Sequence, residues 1–178
     1  MTPAHSVRAL PSHAITGELV RLGALLIDCV RAGASIGFLD PLSAADAESF
    51  WARIQRAVAA ERAVLFVGEI EQGEIAGTVV LDIDTLPNQP HRATVSKLLV
   101  HTAARRQGLG EALMRELERT ALHAGRWLLT LDTATGEAER LYTRLGYSAA
   151  GTIPDYALNP DSTLTPTTFF YKRLGERR

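Results

Sequence analysis

The residues whose types and spacing could do chemistry gather in Arg105-Arg106-Gln107-Gly108-Leu109-Gly110, a string that joins an apolar run ending at Val100 to an amphipathic stretch. A strand feeding a helix through glycines makes an anion site. The first N–H groups of a helix have no partner within it, and its dipole is positive at that end, so a phosphate can be held there. Glycines at 108 and 110 remove the Cβ atoms that would keep a pyrophosphate away, and Arg105 and Arg106 add formal charge. The same residues also suit an ordinary solvated connection. A Walker loop is excluded, because no G-x-x-x-x-G-K-[ST] string occurs, and Leu113 stands where a dinucleotide fingerprint needs its third glycine.

A second candidate string follows in Ala138-Glu139-Arg140-Leu141-Tyr142-Thr143-Arg144-Leu145-Gly146-Tyr147. The Tyr142 phenol can donate a proton in a reaction or serve as a core side chain whose hydroxyl finds a partner. Arg144 suits either a phosphate contact or a solvated helix position. Asp132 closes the apolar run Trp127 to Leu131, where a carboxylate can take a proton, hold an ammonium group or cap the next helix.

The elements that must position these groups are legible in the periodicity. Thr16 to Arg31 carries leucine and valine at helical intervals and breaks at Gly33, and the segment from Gly33 to Asp40 is a loop. Ser43 precedes a second helix, Ala44 to Ala60, with Phe50, Trp51, Ile54 and Val58 on its apolar face. These two helices should cover one side of a sheet. Ala63 to Ile70 and Ile75 to Ile83 flank Glu71-Gln72-Gly73-Glu74 as an antiparallel hairpin. Ala93 to Val100 is a strand and Leu109 to His123 an amphipathic helix, with Leu109, Leu113, Leu117 and Ala121 repeating every four residues. A buried strand from Trp127 to Leu131 implies a parallel crossover. A helix from Glu137 to Leu145, strands near Tyr147 to Thr152 and Thr167 to Arg173, and a loop from Ile153 to Pro166 complete the pattern.

Composition bounds the function. With 178 residues, 46% hydrophobic and 22% charged, the chain suits one domain spanning 1–178, with a flexible start at 1–12. A net charge of −1 from 19 basic and 20 acidic residues gives no global attraction to nucleic acid or to an anionic membrane. No apolar run approaches the roughly 20 residues that span a bilayer, and Met1 to Pro11 lacks the apolar core of a secretion signal, so a soluble, cytoplasmic protein is expected. Cys29, the only cysteine, lies in the apolar pattern of the first helix and reads as packing. The histidines at 5, 13, 91, 101 and 123 show no metal-ligand spacing, and no metal is expected.

Taken together, an apolar strand ending Leu98-Leu99-Val100, then R-x-x-G-x-G, a helix, a strand and A-x-x-L-Y-x-R-L-G-Y resembles the GNAT superfamily of acetyl-CoA-dependent N-acetyltransferases. Within it the chain is similar to the tabtoxin-resistance acetyltransferases, through Gly33-Ala34-Ser35-Ile36-Gly37-Phe38, Arg92-Ala93, Lys97-Leu98, Leu131-Asp132-Thr133 and the tail from Leu164 to Leu174. The resemblance implies an α+β fold, a central mixed, mostly antiparallel sheet flanked by helices, and direct acetyl transfer from acetyl-CoA to a primary amine. It places the pantetheine arm beside Leu98, Leu99 and Val100, with the Val100 N–H polarising the thioester carbonyl. Arg105, Arg106, Gln107, Gly108, Gly110 and Glu111 would then hold the pyrophosphate. Tyr142 becomes the acid for the departing thiolate, and Asp132 the carboxylate that faces the amine. One departure stands out: many relatives carry a glutamate on the strand before the loop, where this chain reads Thr94-Val95-Ser96-Lys97.

The acceptor wall implied by the resemblance is Ser35 to Phe38 together with Asp155, Tyr156 and Asn159, and the implied acceptor is a small zwitterionic amine such as a toxin- or antibiotic-like amino acid. A polyamine, an aminoglycoside or a protein N-terminus is the enzymatic alternative, and a non-catalytic acyl-CoA-binding regulatory domain the other. The partner is then a small-molecule amine, with neither nucleic acid nor membrane involved. The protein would be a monomer or a homodimer, joined in the latter case through an edge strand at Thr167 to Tyr171.

Overall fold

The computed structural model describes residues 5–175. Its elements run β1 (Ser6–Ala9), α1 (Ser12–Arg31), α2 (Ala44–Ala59), β2 (Ala63–Glu69), β3 (Ile75–Asp82), β4 (Arg92–Val100), α3 (Leu109–His123), β5 (Leu128–Thr133), α4 (Gly136–Arg144), β6 (Ser148–Leu158) and β7 (Leu164–Arg173). The seven strands form one sheet in the order β1-β2-β3-β4-β5-β7-β6. Every neighbouring pair is antiparallel except β4 and β5.

Alternation along the central strands builds two cores, one on each face. Phe66, Val79 and Leu81 turn towards Leu109, Leu113, Met114 and Leu117 of α3 and Tyr142 of α4. Leu65, Val67, Val80 and Leu99 turn the other way, onto Leu22 and Leu26 of α1 and Trp51 of α2. The Trp51 indole, fully buried, donates to the Leu22 carbonyl at 2.8 Å and so satisfies its one polar atom while locking α2 onto α1. Ser43 caps α2 by accepting from the Asp46 N–H at 3.1 Å.

Two backbone features position the site. Gly68 and Gly77 lie opposite one another on β2 and β3. A Cβ on Gly68 would sit 2.6 Å from Leu109 Cδ1, and one on Gly77 would sit 2.9 Å from both Leu113 Cδ1 and the Leu99 carbonyl oxygen. The glycine step lets the first turns of α3 rest directly on the sheet, aiming the helix N-terminus at the end of β4. Beside it, β4 and β5 pair only over Arg92–Thr94 and Leu128–Thr130 and then part, leaving a fork. At the fork β4 carries a bulge, because its register against β3 shifts between Thr78 and Val80. Lys97 takes a φ of +52° there, and the Thr78 hydroxyl donates to the Lys97 carbonyl at 3.0 Å.

Several expectations are corrected. Residues 6–9 of the anticipated flexible start form β1 on the edge of the sheet, and α1 begins at Ser12 rather than Thr16; residues 1–4 lie outside the described residues. The anticipated loop from Ile153 to Pro166 is largely strand, since β6 extends to Leu158 and β7 starts at Leu164. Pro154 and Pro166 suggested a loop, but Pro154 sits on an edge strand and opens a bulge where the register shifts between Ile153 and Ala157. Asp155, at a φ of +51°, and Tyr156 therefore project from a strand. The edge is β6, because β7 lies between β5 and β6, so Thr167 to Tyr171 is an interior strand.

Candidate active site

The fork is lined by side chains and by backbone. His101 N–H donates to the Ala76 carbonyl at 2.8 Å, which makes that opposed pair the hydrogen-bonded one. The next pair, Gly77 and Val100, must then point its own N–H and C=O groups away from each other, so those of Val100 face the fork. On that side the Val100 carbonyl accepts from Arg105 Nε at 3.2 Å and from Cys29 Sγ at 3.6 Å. Leu98 is half-buried against the α3 core, whereas Leu99 is fully buried in the opposite one.

At the end of β4 the chain turns through Arg106, at a φ of +63°, and Gly108, at +88°. Gly108 then occupies the position before the first helical residue, a left-handed conformation that glycine adopts without a Cβ penalty. A Cβ on Gly110 would meet Leu141 Cδ2 at 3.4 Å and Val100 Cγ2 at 3.6 Å, ordinary contact distances that would add side chain between β4, α3 and α4. The N–H groups of the first turn of α3 are thus uncovered at the mouth of the fork, a donor set that fits a pyrophosphate. Arg106 is exposed, while Gln107 folds back to donate to the Ala103 carbonyl at 3.1 Å. The Glu111 carboxylate accepts from Arg115 at 2.8 Å and lies 3.6 Å from Arg144. Those two cations hold it below the usual carboxylate range, Arg115 first, and tie it to the helix surface.

Tyr142 packs from α4 into the core on the α3 side of the sheet. It is 6% exposed, with its ring centroid 5.8 Å from that of Tyr147 and 5.9 Å from that of Phe170. Burial raises its phenol well above the ordinary value, and the Asp132 carboxylate raises it further. Asp132 itself is exposed on β5, past the point where β4 departs, and opposite Phe169 of β7. The Tyr156 ring stands edge-on to Phe169 at 5.3 Å, which brings the β6 bulge to the Asp132 side of the fork. Ser35 donates to the Leu158 carbonyl at 3.3 Å, and the Asp40 N–H donates to the Pro160 carbonyl at 3.0 Å. The loop after α1 is therefore joined to the β6–β7 hairpin, and Phe38 packs edge-on against Phe50 at 5.2 Å. Asp155 is exposed on the bulge, and among the described residues its carboxylate accepts no hydrogen bond.

Sequence reasoning gives Lys97 and Arg92 no role in the site. The Arg92 guanidinium donates to Gln89, to Thr94 and, across the strands, to Thr130. Both residues enter the sequence reading only through the family resemblance; the bulge turns Lys97 towards the loop after α1, whereas Arg92 sits where β4 and β5 are still paired.

A sheet forked after its fourth strand, with a glycine-based helix N-terminus at the fork, defines an acyl-CoA-type transferase fold. Residues 34–147 match the Acetyltransferase (GNAT) family, and the chain belongs to it as an acetyltransferase. It is 33% identical, over 140 residues, to an uncharacterised N-acetyltransferase of Azospirillum brasilense encoded in the hisH–hisA intergenic region, covering 76% of this chain and 81% of that one. Its fold is similar to that of an N-acetyltransferase from Staphylococcus aureus Mu50, with a TM-score of 0.78 at 19% identity over 97% of this chain and 99% of that one. It is also similar to a phosphinothricin acetyltransferase from Sinorhizobium meliloti solved in complex with acetyl-CoA, with a TM-score of 0.79 at 19% identity over 99% and 90%.

Proposed function

We propose that the protein transfers an acetyl group from acetyl-CoA to the primary amine of a small, amino-acid-like molecule, as the tabtoxin-resistance type of this family does. The observation that carries this reading is the fork that opens beyond Thr94 and Thr130 with the glycine-based turn of α3 at its mouth. Acetyl-CoA supplies an activated thioester; the chain must bind it, orient the amine and manage two protons.

The N–H groups of Gly108 to Glu111 hold the pyrophosphate, assisted by Arg106 and, once it leaves the Val100 carbonyl, Arg105. Glu111 contributes its backbone rather than its carboxylate, which two arginines occupy. Along β4 the fork-facing groups of Leu98 and Val100 can pair with an extended arm as an added strand would, and the Val100 N–H lies on that line to polarise a carbonyl. Tyr142 stays protonated throughout the working range and donates its phenolic proton to the departing sulfur. An acceptor amine of pKa about 10 arrives as ammonium at neutral pH, so Asp132 first holds it and then takes its proton, directly or through water. Ser35, Phe38, Asp155 and Tyr156 form the wall around the acceptor.

The test is acetyl-CoA titration and thiol release with a panel of amines for wild type, D132N and G108W/G110W. The wild type is expected to bind acetyl-CoA and release thiol with free amino acids. D132N should retain acetyl-CoA binding but lose about tenfold or more in kcat/KM for the amine, the worth of a positioned carboxylate. A folded G108W/G110W protein should bind no acetyl-CoA. Full activity in D132N, or undiminished binding in the glycine variant, contradicts the assignment.

A further inference from the structure

Lys97 is a half-buried lysine on the acceptor side of the fork with no carboxylate within ion-pair distance among the described residues. Its ammonium makes one hydrogen bond, donating to the Ile36 carbonyl at 2.8 Å, and lies 5.8 Å from the Phe38 ring centroid and 5.5 Å from that of Phe50. An ammonium group has three donors, so two remain without a protein acceptor. Backbone at a φ of +52° is costly for lysine and persists only where the surroundings impose it; here the bulge aims the side chain at the loop that carries Ser35 and Phe38.

We infer that Lys97 is the anchor for the acidic group of the acceptor, binding a carboxylate, or a phosphinate in its place, while Asp132 holds the amine of the same molecule. The inference rests on the acceptor reading above and narrows it to amines that carry an acid. The carboxylate whose charge reaches Lys97 is Asp132, across the fork on β5. A cation at Lys97 set apart from the carboxylates Asp132 and Asp155 complements a zwitterion, whose two charges it can meet at once, better than a polycation. Burial without a counter-ion pulls the Lys97 ammonium below its ordinary value, with the Asp132 charge only partly opposing that, and a substrate acid supplies the missing counter-ion.

A structural reading of Lys97, as a peg holding the loop through Ile36, makes a different forecast. The experiment compares the free L-α-amino acid turned over best in a panel with its own carboxamide, by thiol release, in wild type, K97M and K97R. The carboxamide keeps the amine and loses the acid. The ratio of the two kcat/KM values should favour the acid by about tenfold or more in wild type, should fall about tenfold or more in K97M through the acceptor KM, and should be retained in K97R. Acetyl-CoA KM should stay within about twofold throughout, because Lys97 faces away from that half of the site. A peg would lower both acceptors equally and leave the ratio unchanged, which overturns the inference but leaves the amino acid reading intact. Turnover of other amines with no free amino acid accepted overturns both. Should K97M fail to fold, a wild-type preference for the carboxamide is enough to reject the role.

Discussion

Tyr142 is held by burial and by two aromatic neighbours, Tyr147 and Phe170, and that environment keeps its phenol protonated. Its phenol stays neutral across the working range because burial penalises the phenolate, with the nearby Asp132 charge adding to the penalty. Replacing it in Y142F is expected to lower kcat by about ten- to a hundredfold with little change in acetyl-CoA KM, measured by thiol release, because the ring's packing survives and only the proton is lost. An unchanged kcat assigns Tyr142 to the core alone. At this scale the sequence is legible where a residue's type limits its uses, as with the phenol of Tyr142 and the carboxylate of Asp132, whose charge reaches that phenol. It is less legible where backbone conformation decides. The orientation of Lys97 depends on the bulge, and the Arg105 side chain folds back onto the Val100 carbonyl in a way its position does not announce.

The elements are legible in the sequence where one periodicity dominates and obscure where two signals compete. The helix from Leu109 to His123 was legible at both ends, because its apolar repeat runs from a glycine turn to Gly125. By contrast β6 and β7 carry two prolines and a bulge inside long strands, and the breaker residues outweighed the threonine-rich pattern between them. The Gly68–Gly77 step was not legible at all, since each glycine looks like a weak point in its strand until α3 is laid upon the pair. That contact gives a stability forecast. G77A is expected to cost more than G68A, because its new Cβ meets backbone oxygen of Leu99 as well as Leu113, whereas at Gly68 the crowding comes from the flexible end of Leu109. Overpacking of this kind costs about 1–3 kcal/mol, read from urea unfolding midpoints. Equal stability of both variants with wild type means that α3 does not rest on the glycine step.

Across the whole molecule the two cores meet along the central strands, and the α3–α4 face carries two buried phenols, Tyr142 and Tyr147. Burial raises both, and for Tyr147 the charge of the neighbouring Glu118 adds to the effect, with Lys172 donating to Glu118 Oε2 at 2.7 Å. A phenol whose native-state value is raised binds its proton more tightly folded than unfolded, so its stabilising contribution is complete below about pH 10 and is lost as the pH climbs beyond it. Unfolding followed by fluorescence should therefore show stability falling steeply above about pH 10, and a Y142F/Y147F protein should show a shallower fall. Parallel slopes in the two proteins contradict the burial of these phenols. The central claim, however, concerns what the fork accepts. It is tested most directly by kcat/KM for a free amino acid against spermidine, with acetyl-CoA as donor and thiol release as the readout. A preference for the amino acid of about tenfold or more is expected from a site that offers Lys97 to an acid as well as Asp132 to an amine; a preference for spermidine contradicts the account.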